Sequence, residues 1–242
     1  MIIRRFLPAA LAVLLAGCGG RTIQQPEAGP QKLVRVDWFG HQCFRIRSTL
    51  GVSILTNPFA PGTVDFSQPK NLQPEIVLVT NEESDTNYID MVDSTPHILR
   101  GSVGVGTNTA RGIRIVGVPI YRDPDNPSIT EGMTVAYRWT VDGLKFAFLG
   151  KLDRPLTDAE AAKIGRVDVL FLPAGGTDLT TAGRTQILEQ LRPQVIVPMG
   201  TATAVNRMAS GFTSVYRLRE PAALLSRQAL PPQPTVLVFR AP

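Results

Sequence analysis

The chain has 242 residues, 43% of them hydrophobic and 19% charged, with a formal net charge of +5. That length can bury a sizeable core as one large domain or two small ones. Its arginines are scattered and aromatic residues make up only 7%, so no basic stripe with a stacking platform is present and nucleic-acid binding is excluded.

At the amino terminus Arg4 and Arg5 precede an almost wholly apolar run over 6–15, broken only by Pro8. A basic start followed by an apolar stretch of about ten residues is the pattern of a secretory signal, and it falls short of the roughly 20 residues a membrane span needs. The run ends in Leu15-Ala16-Gly17-Cys18, which resembles the bacterial lipobox. The resemblance implies cleavage after residue 17, lipid on the Cys18 thiol, and attachment to a membrane. Gly19 in place of aspartate favours the outer membrane, facing the periplasm, over the inner one. With Cys18 lipidated, Cys43 has no partner for an intrachain disulfide and is expected as a buried, unreactive thiol. The sequence thus divides into a signal peptide (1–17), a Gly-, Gln- and Pro-containing tether (18–32) and a domain (33–242).

Within the domain, 33–39, 43–47 and 52–56 read as short strands joined by tight turns. The continuous apolar run over 75–80 predicts a buried strand. Further strands are expected over 112–120, 133–141, 144–149, 167–172, 195–198 and 236–240, and Asp142-Gly143 between two of them predicts a hairpin. Helices are expected over 157–164, where Thr157 and Glu160 form a Thr-x-x-Glu capping box, over 181–191, and over 221–230 with Pro221 at its start. Gly104-Val105-Gly106 and Gly175-Gly176 open no helix in phosphate-loop spacing and read as turns. Strands first, then strands alternating with helices, imply packed sheets with helices outside.

Several segments also fall in a telling order: Trp38-Phe39-Gly40-His41, Thr56-Asn57-Pro58-Phe59, the strand end at Thr80 running into Asn81-Glu82-Glu83-Ser84-Asp85-Thr86, Pro119-Ile120-Tyr121-Arg122, Leu149-Gly150-Lys151-Leu152-Asp153-Arg154, and Val197-Pro198-Met199-Gly200. Together they resemble the metallo-β-lactamase superfamily, in particular its lactonase-like hydrolases. The resemblance implies a four-layer αββα sandwich with the site at one edge of the sheets. In that family histidines and aspartates converge on zinc or manganese ions that activate water. Here the matching positions hold Asn81, Glu83, Thr86, Arg122, Lys151, Arg154 and Gly200, and only Asp85 keeps the family's residue type. The two histidines of the chain, His41 and His97, fall on none of them. His41 sits where the branch often carries a histidine beside the site, as a remnant or a hydrogen-bonded turn residue, and His97 reads as structural.

These replacements imply a domain without a metal cofactor and with a non-catalytic binding or scaffolding role, toward an envelope protein or a small anion. Arg122, Lys151 and Arg154 are expected to supply the positive charge that metal ions would otherwise bring to Glu83 and Asp85. Two alternatives stay open: a metal-dependent hydrolase of phosphodiesters, lactones or similar substrates with an unusual site, and an anion-binding pocket built from the same three cations.

Overall fold

The computed structural model describes residues 31–128, 132–175 and 178–242; Cys18, the signal peptide and most of the tether lie outside them. Among the described residues, fourteen strands and four helices follow in chain order: β1 (Val34–Trp38), β2 (Phe44–Arg47), β3 (Ser53–Thr56), β4 (Ile76–Leu78), β5 (His97–Leu99), α1 (Gly101–Gly104), β6 (Gly106–Ala110), β7 (Ile113–Tyr121), β8 (Met133–Val141), β9 (Leu144–Phe148), α2 (Asp158–Ile164), β10 (Val169–Pro173), α3 (Thr181–Leu191), β11 (Val195–Met199), α4 (Ala202–Ala209), β12 (Val215–Arg217), β13 (Ala222–Leu225) and β14 (Thr235–Val238). They make a six-stranded sheet in the order β13-β1-β2-β3-β4-β5 and an eight-stranded sheet in the order β12-β14-β11-β10-β9-β8-β7-β6.

The strand patterns account for the layers. β10 and β11 are buried at every position, as strands covered on both faces must be. One face of each sheet meets the other across a core that includes Val36, Ile46, Ile54, Tyr137, Trp139, Phe148 and Phe171. The far face of the eight-stranded sheet packs Leu170, Leu172 and Ile196 against Ala161, Ile164, Ile187 and Leu191 of α2 and α3. Over the six-stranded sheet the outer layer is made by the loops on either side of β4, which pack Phe59, Leu72 and Met91 onto Cys43, Leu55 and Val77 and include one 3-10 turn, Ile89–Met91. The predicted capping box and the predicted hairpin turn both form. Thr157 accepts from Glu160 N while Glu160 accepts from Thr157 N, closing the box that starts α2. Asp142 and Gly143 both take positive φ, 50° and 82°, as a two-residue hairpin turn requires.

One predicted element is overturned. Residues 221–230 do not form a helix; they form edge strand β13 and a 3-10 turn, Arg227–Ala229. The stretch Ala222-Ala223-Leu224-Leu225 has helix-forming residues, but β1 offers an open row of backbone groups and pairs with it from Val34–Leu225 to Asp37–Ala222. Tertiary pairing outweighs local propensity here.

Cys43 is fully buried, and burial pushes its thiol far above the ordinary cysteine range. Because the thiolate is the reactive form, the folded chain should resist iodoacetamide at Cys43 and react only after unfolding in urea. Peptide mass spectrometry of the two samples checks this, and rapid native modification would contradict the burial.

Candidate functional site

Beyond β4 the chain runs through Val79 to Thr80, and this point is clamped from several sides. Val135 N of β8 donates to Thr80 O at 2.7 Å, joining the two sheets by a backbone hydrogen bond. The Tyr137 hydroxyl donates to Leu99 O at 2.9 Å and lies 3.1 Å from Val79 O. Burial, with help from the Glu82 carboxylate, pushes this phenol up, so it stays a donor. Below Thr80, the buried Asn57 gives Nδ2 hydrogens to Gln42 Oε1 and Thr80 Oγ1 and accepts from Thr80 N, each at 2.9 Å. The loop over 81–87 therefore departs from a fixed base.

From the other sheet, β9 ends at Phe148 and the chain reaches Gly150, whose φ is +59°. A Cβ there would lie 2.4 Å from Thr80 Oγ1, so only glycine allows this approach. The approach delivers the next residue, Lys151, to the 81–87 loop. Its Nζ lies 2.9 Å from Asp85 Oδ1 and 2.7 Å from Asp85 Oδ2, and it also donates to Glu83 Oε2. On the opposite side of Asp85, His41 Nε2 stands 3.2 Å from Oδ2, off the line of a well-directed hydrogen bond. His41 occupies a left-handed turn at φ 49°, which aims the imidazole at the carboxylate. Burial alone would raise the Asp85 carboxyl, but His41 and Lys151 outweigh it and hold it at about 2. Burial likewise works against the Lys151 ammonium, and Asp85 and Glu83 outweigh that and raise it above the ordinary lysine value.

The loop closes on itself around this pair. Asn81 Nδ2 donates to Glu83 Oε1 at 3.1 Å, and the Thr86 hydroxyl donates to Asn81 Oδ1, with Glu83 O 3.0 Å away. Beside it lies a cleft of about 340 Å³ whose lining includes Thr80, Glu83, Arg122, Thr134, Lys151 and Asp153.

Of the sequence-predicted positions, Asn81, Glu83, Asp85, Thr86, Lys151 and His41 meet. Three do not join them. Arg122 sits on the cleft rim, 69% exposed, with Nε 3.3 Å from Asp153 Oδ2. Arg154 turns to the following helix: its two terminal nitrogens grip Glu160 of α2 at 2.9 and 2.6 Å, and Nε donates to Tyr121 O at 2.7 Å. The planar guanidinium matches a carboxylate two-on-two, and Glu160 is already oriented by the α2 cap. Gly200 follows the end of β11, beside Gly175 and Ala204. His97 opens β5 and is exposed. The sequence reading missed Asp153 and the Asn57–Gln42–Thr80 base; the quoted segments contain Asp153, Asn57 and Thr80, but nothing in the pattern says where these side chains point.

Zinc or manganese would need several imidazole, thiolate or carboxylate donors around one point. Among the described residues no three His, Cys, Asp or Glu side chains are so grouped. Where Glu83 and Asp85 approach each other, the space between them holds the Lys151 ammonium, a cation with no lone pair to offer. The residues present do not fit such an ion.

A family model described as a beta-lactamase superfamily domain matches residues 35–200. Among solved structures, a protein of Thermotoga maritima assigned as a Zn-dependent hydrolase of the metallo-β-lactamase superfamily is 24% identical, with 86% of this chain and 100% of that one covered at a TM-score of 0.70. A protein of Parabacteroides distasonis assigned as a metal-dependent hydrolase is 17% identical over 86% and 93%, TM-score 0.59. Igni18, a metallo hydrolase of Ignicoccus hospitalis, is 21% identical over 80% and 98%, TM-score 0.55. No curated protein matches the sequence.

Proposed function

The chain belongs to the beta-lactamase superfamily, and we propose that it is a non-catalytic member in which a fixed ion pair takes the place of a metal centre. The observation that carries this is Lys151 Nζ, held by both Glu83 and Asp85 at the end of β9. An ammonium already neutralising these carboxylates opposes a divalent cation twice, by repulsion and by occupying its donors. The role left to such a domain is binding or scaffolding. The basic start, apolar run and Cys18 of the first 18 residues support its attachment to the cell envelope by a lipid, with Gly19 favouring the outer membrane.

The anion-binding alternative is disfavoured by the same contacts. Lys151 faces two carboxylates, Arg154 is matched by Glu160 and Arg122 by Asp153, so these three cations carry little charge to spare.

The purified chain should contain far less than one zinc or manganese per molecule by elemental analysis. It should turn over neither phosphodiesters nor lactones, and should melt at the same temperature with and without EDTA, since a bound ion would stabilise the native state. Stoichiometric metal together with turnover would overturn the proposal. The anchor is tested separately: labelled fatty acid should enter the chain in bacteria and be lost in Cys18→Ala.

A further inference from the structure

The cleft lies where β4 and β9 end. The opposite pole of the sandwich, where these strands begin, is knit together by side chains from both sheets and has a distinct character. The β2–β3 turn is held to the β8–β9 turn, because Asp142 accepts from Thr49 N at 2.7 Å and from Thr49 Oγ1 at 2.9 Å. Arg227 reaches Asp168 at 2.6 Å and Gly143 O at 3.4 Å. Gln31, where the described chain begins, donates to Ser226 Oγ at 2.6 Å. Glu75 accepts from Ser53 at the start of β3, and Arg111 of the β6–β7 turn acts on it electrostatically.

Two features of this pole stand out. Leu50 is 89% exposed at the tip of its turn, and Leu33, beside the start of β1, is 41% exposed. Around them Lys32, Arg47 and Arg111 are exposed, while Arg227 is taken by Asp168. The carboxylates interleaved with these cations are already committed: Asp142 and Glu75 to backbone N–H groups, and Asp168 to Lys145 N and Arg227. Outward-facing cations around isolated apolar tips suit a surface with anionic headgroups over a hydrocarbon layer.

We propose that this pole docks on a lipid bilayer, with Lys32, Arg47 and Arg111 among anionic headgroups and Leu50 and Leu33 entering the interface. The proposal rests on the lipid-anchor reading for its orientation: the stretch from Cys18 to Gln31 spans at most about 45 Å and joins the domain at this pole. The docked domain then presents its cleft away from the membrane, so a partner of the cleft approaches from the aqueous side.

Hydrogen exchange on the full chain in vesicles tests this. With phosphatidylethanolamine–phosphatidylglycerol vesicles, amides of the turns at 48–51, 111–112 and 142–143 should exchange more slowly than in detergent, while the loop at 81–87 is unchanged. The effect should vanish in Leu50→Asp/Arg111→Glu, both at exposed turns, with the chain still vesicle-bound; Leu50→Asp alone serves if the double variant misfolds. Slowing at 81–87, slowing nowhere, equal slowing on vesicles lacking anionic lipid, or the same slowing in detergent at high protein concentration, which would signal self-association, each overturns it. Fatty-acid label on Cys18 without slowing removes this inference and leaves the anchor standing; slowing without label does the reverse.

Discussion

Lys151→Met should lower the stability of the folded chain by about 2 kcal/mol at neutral pH. Removing one partner of a buried ion pair costs about 3–5 kcal/mol, because the other charge stays desolvated. The cost is smaller here because Glu83 is 61% exposed and water screens it; Asp85, at 20% exposure, carries most of the loss. The pH dependence distinguishes this cause from lost packing. In the parent chain the Asp85 carboxyl is depressed from 3.8 to about 2, so its contribution is full above about pH 4 and is lost as pH falls toward 2. Without Lys151, burial is opposed by His41 alone, so protonating Asp85 relieves the variant. The gap in urea midpoint between the two chains should therefore narrow between pH 7 and pH 3. A gap that stays constant over that range would show that Lys151 acts through packing alone, and the replacement of a metal by this ion pair would lose its support.

The second large effect lies in the core between the sheets. Phe171 of β10 packs 4.8 Å from Phe44 of the six-stranded sheet and 5.6 Å from Phe148 beside it, centroid to centroid. All three are essentially buried. Phe171→Ala should cost about 3–5 kcal/mol, a large share of the roughly 5–15 kcal/mol that holds an ordinary domain. Urea unfolding should show a much lower midpoint with an unchanged slope, and Phe171→Leu should recover more than half of the loss. A cost under about 1 kcal/mol would mean the aromatic contact between sheets is not where the fold gains its stability.

The architecture was legible in the sequence wherever a strand is buried on both faces or a turn needs special residues. The run over 75–80 gives β4 and the chain leading to the site, and Asp142-Gly143 gives its hairpin. Short elements with weak patterning were missed. β6, Gly106–Ala110, is mostly polar, and β12, Val215–Arg217, is three residues long at a sheet edge. Helix α4 went unread although Thr201 supplies its cap, accepting from Ala204 N. At the site, spacing placed six of the predicted residues around one point but could not separate Lys151 from Arg154, three positions later. The difference is one of direction: Gly150 turns Lys151 toward the 81–87 loop, whereas Glu160 lies within reach of Arg154 and takes it.

That Arg154–Glu160 clasp ties the chain after β9 to the start of α2. Glu160 also closes the cap of α2 and is buried, and Arg154 outweighs the burial that would otherwise raise its carboxyl. A neutral side chain at position 154 would strand that carboxylate and loosen the first turn of α2. Position 154 is thus a keystone of the α2 start, and its guanidinium serves the fold before it serves any ligand.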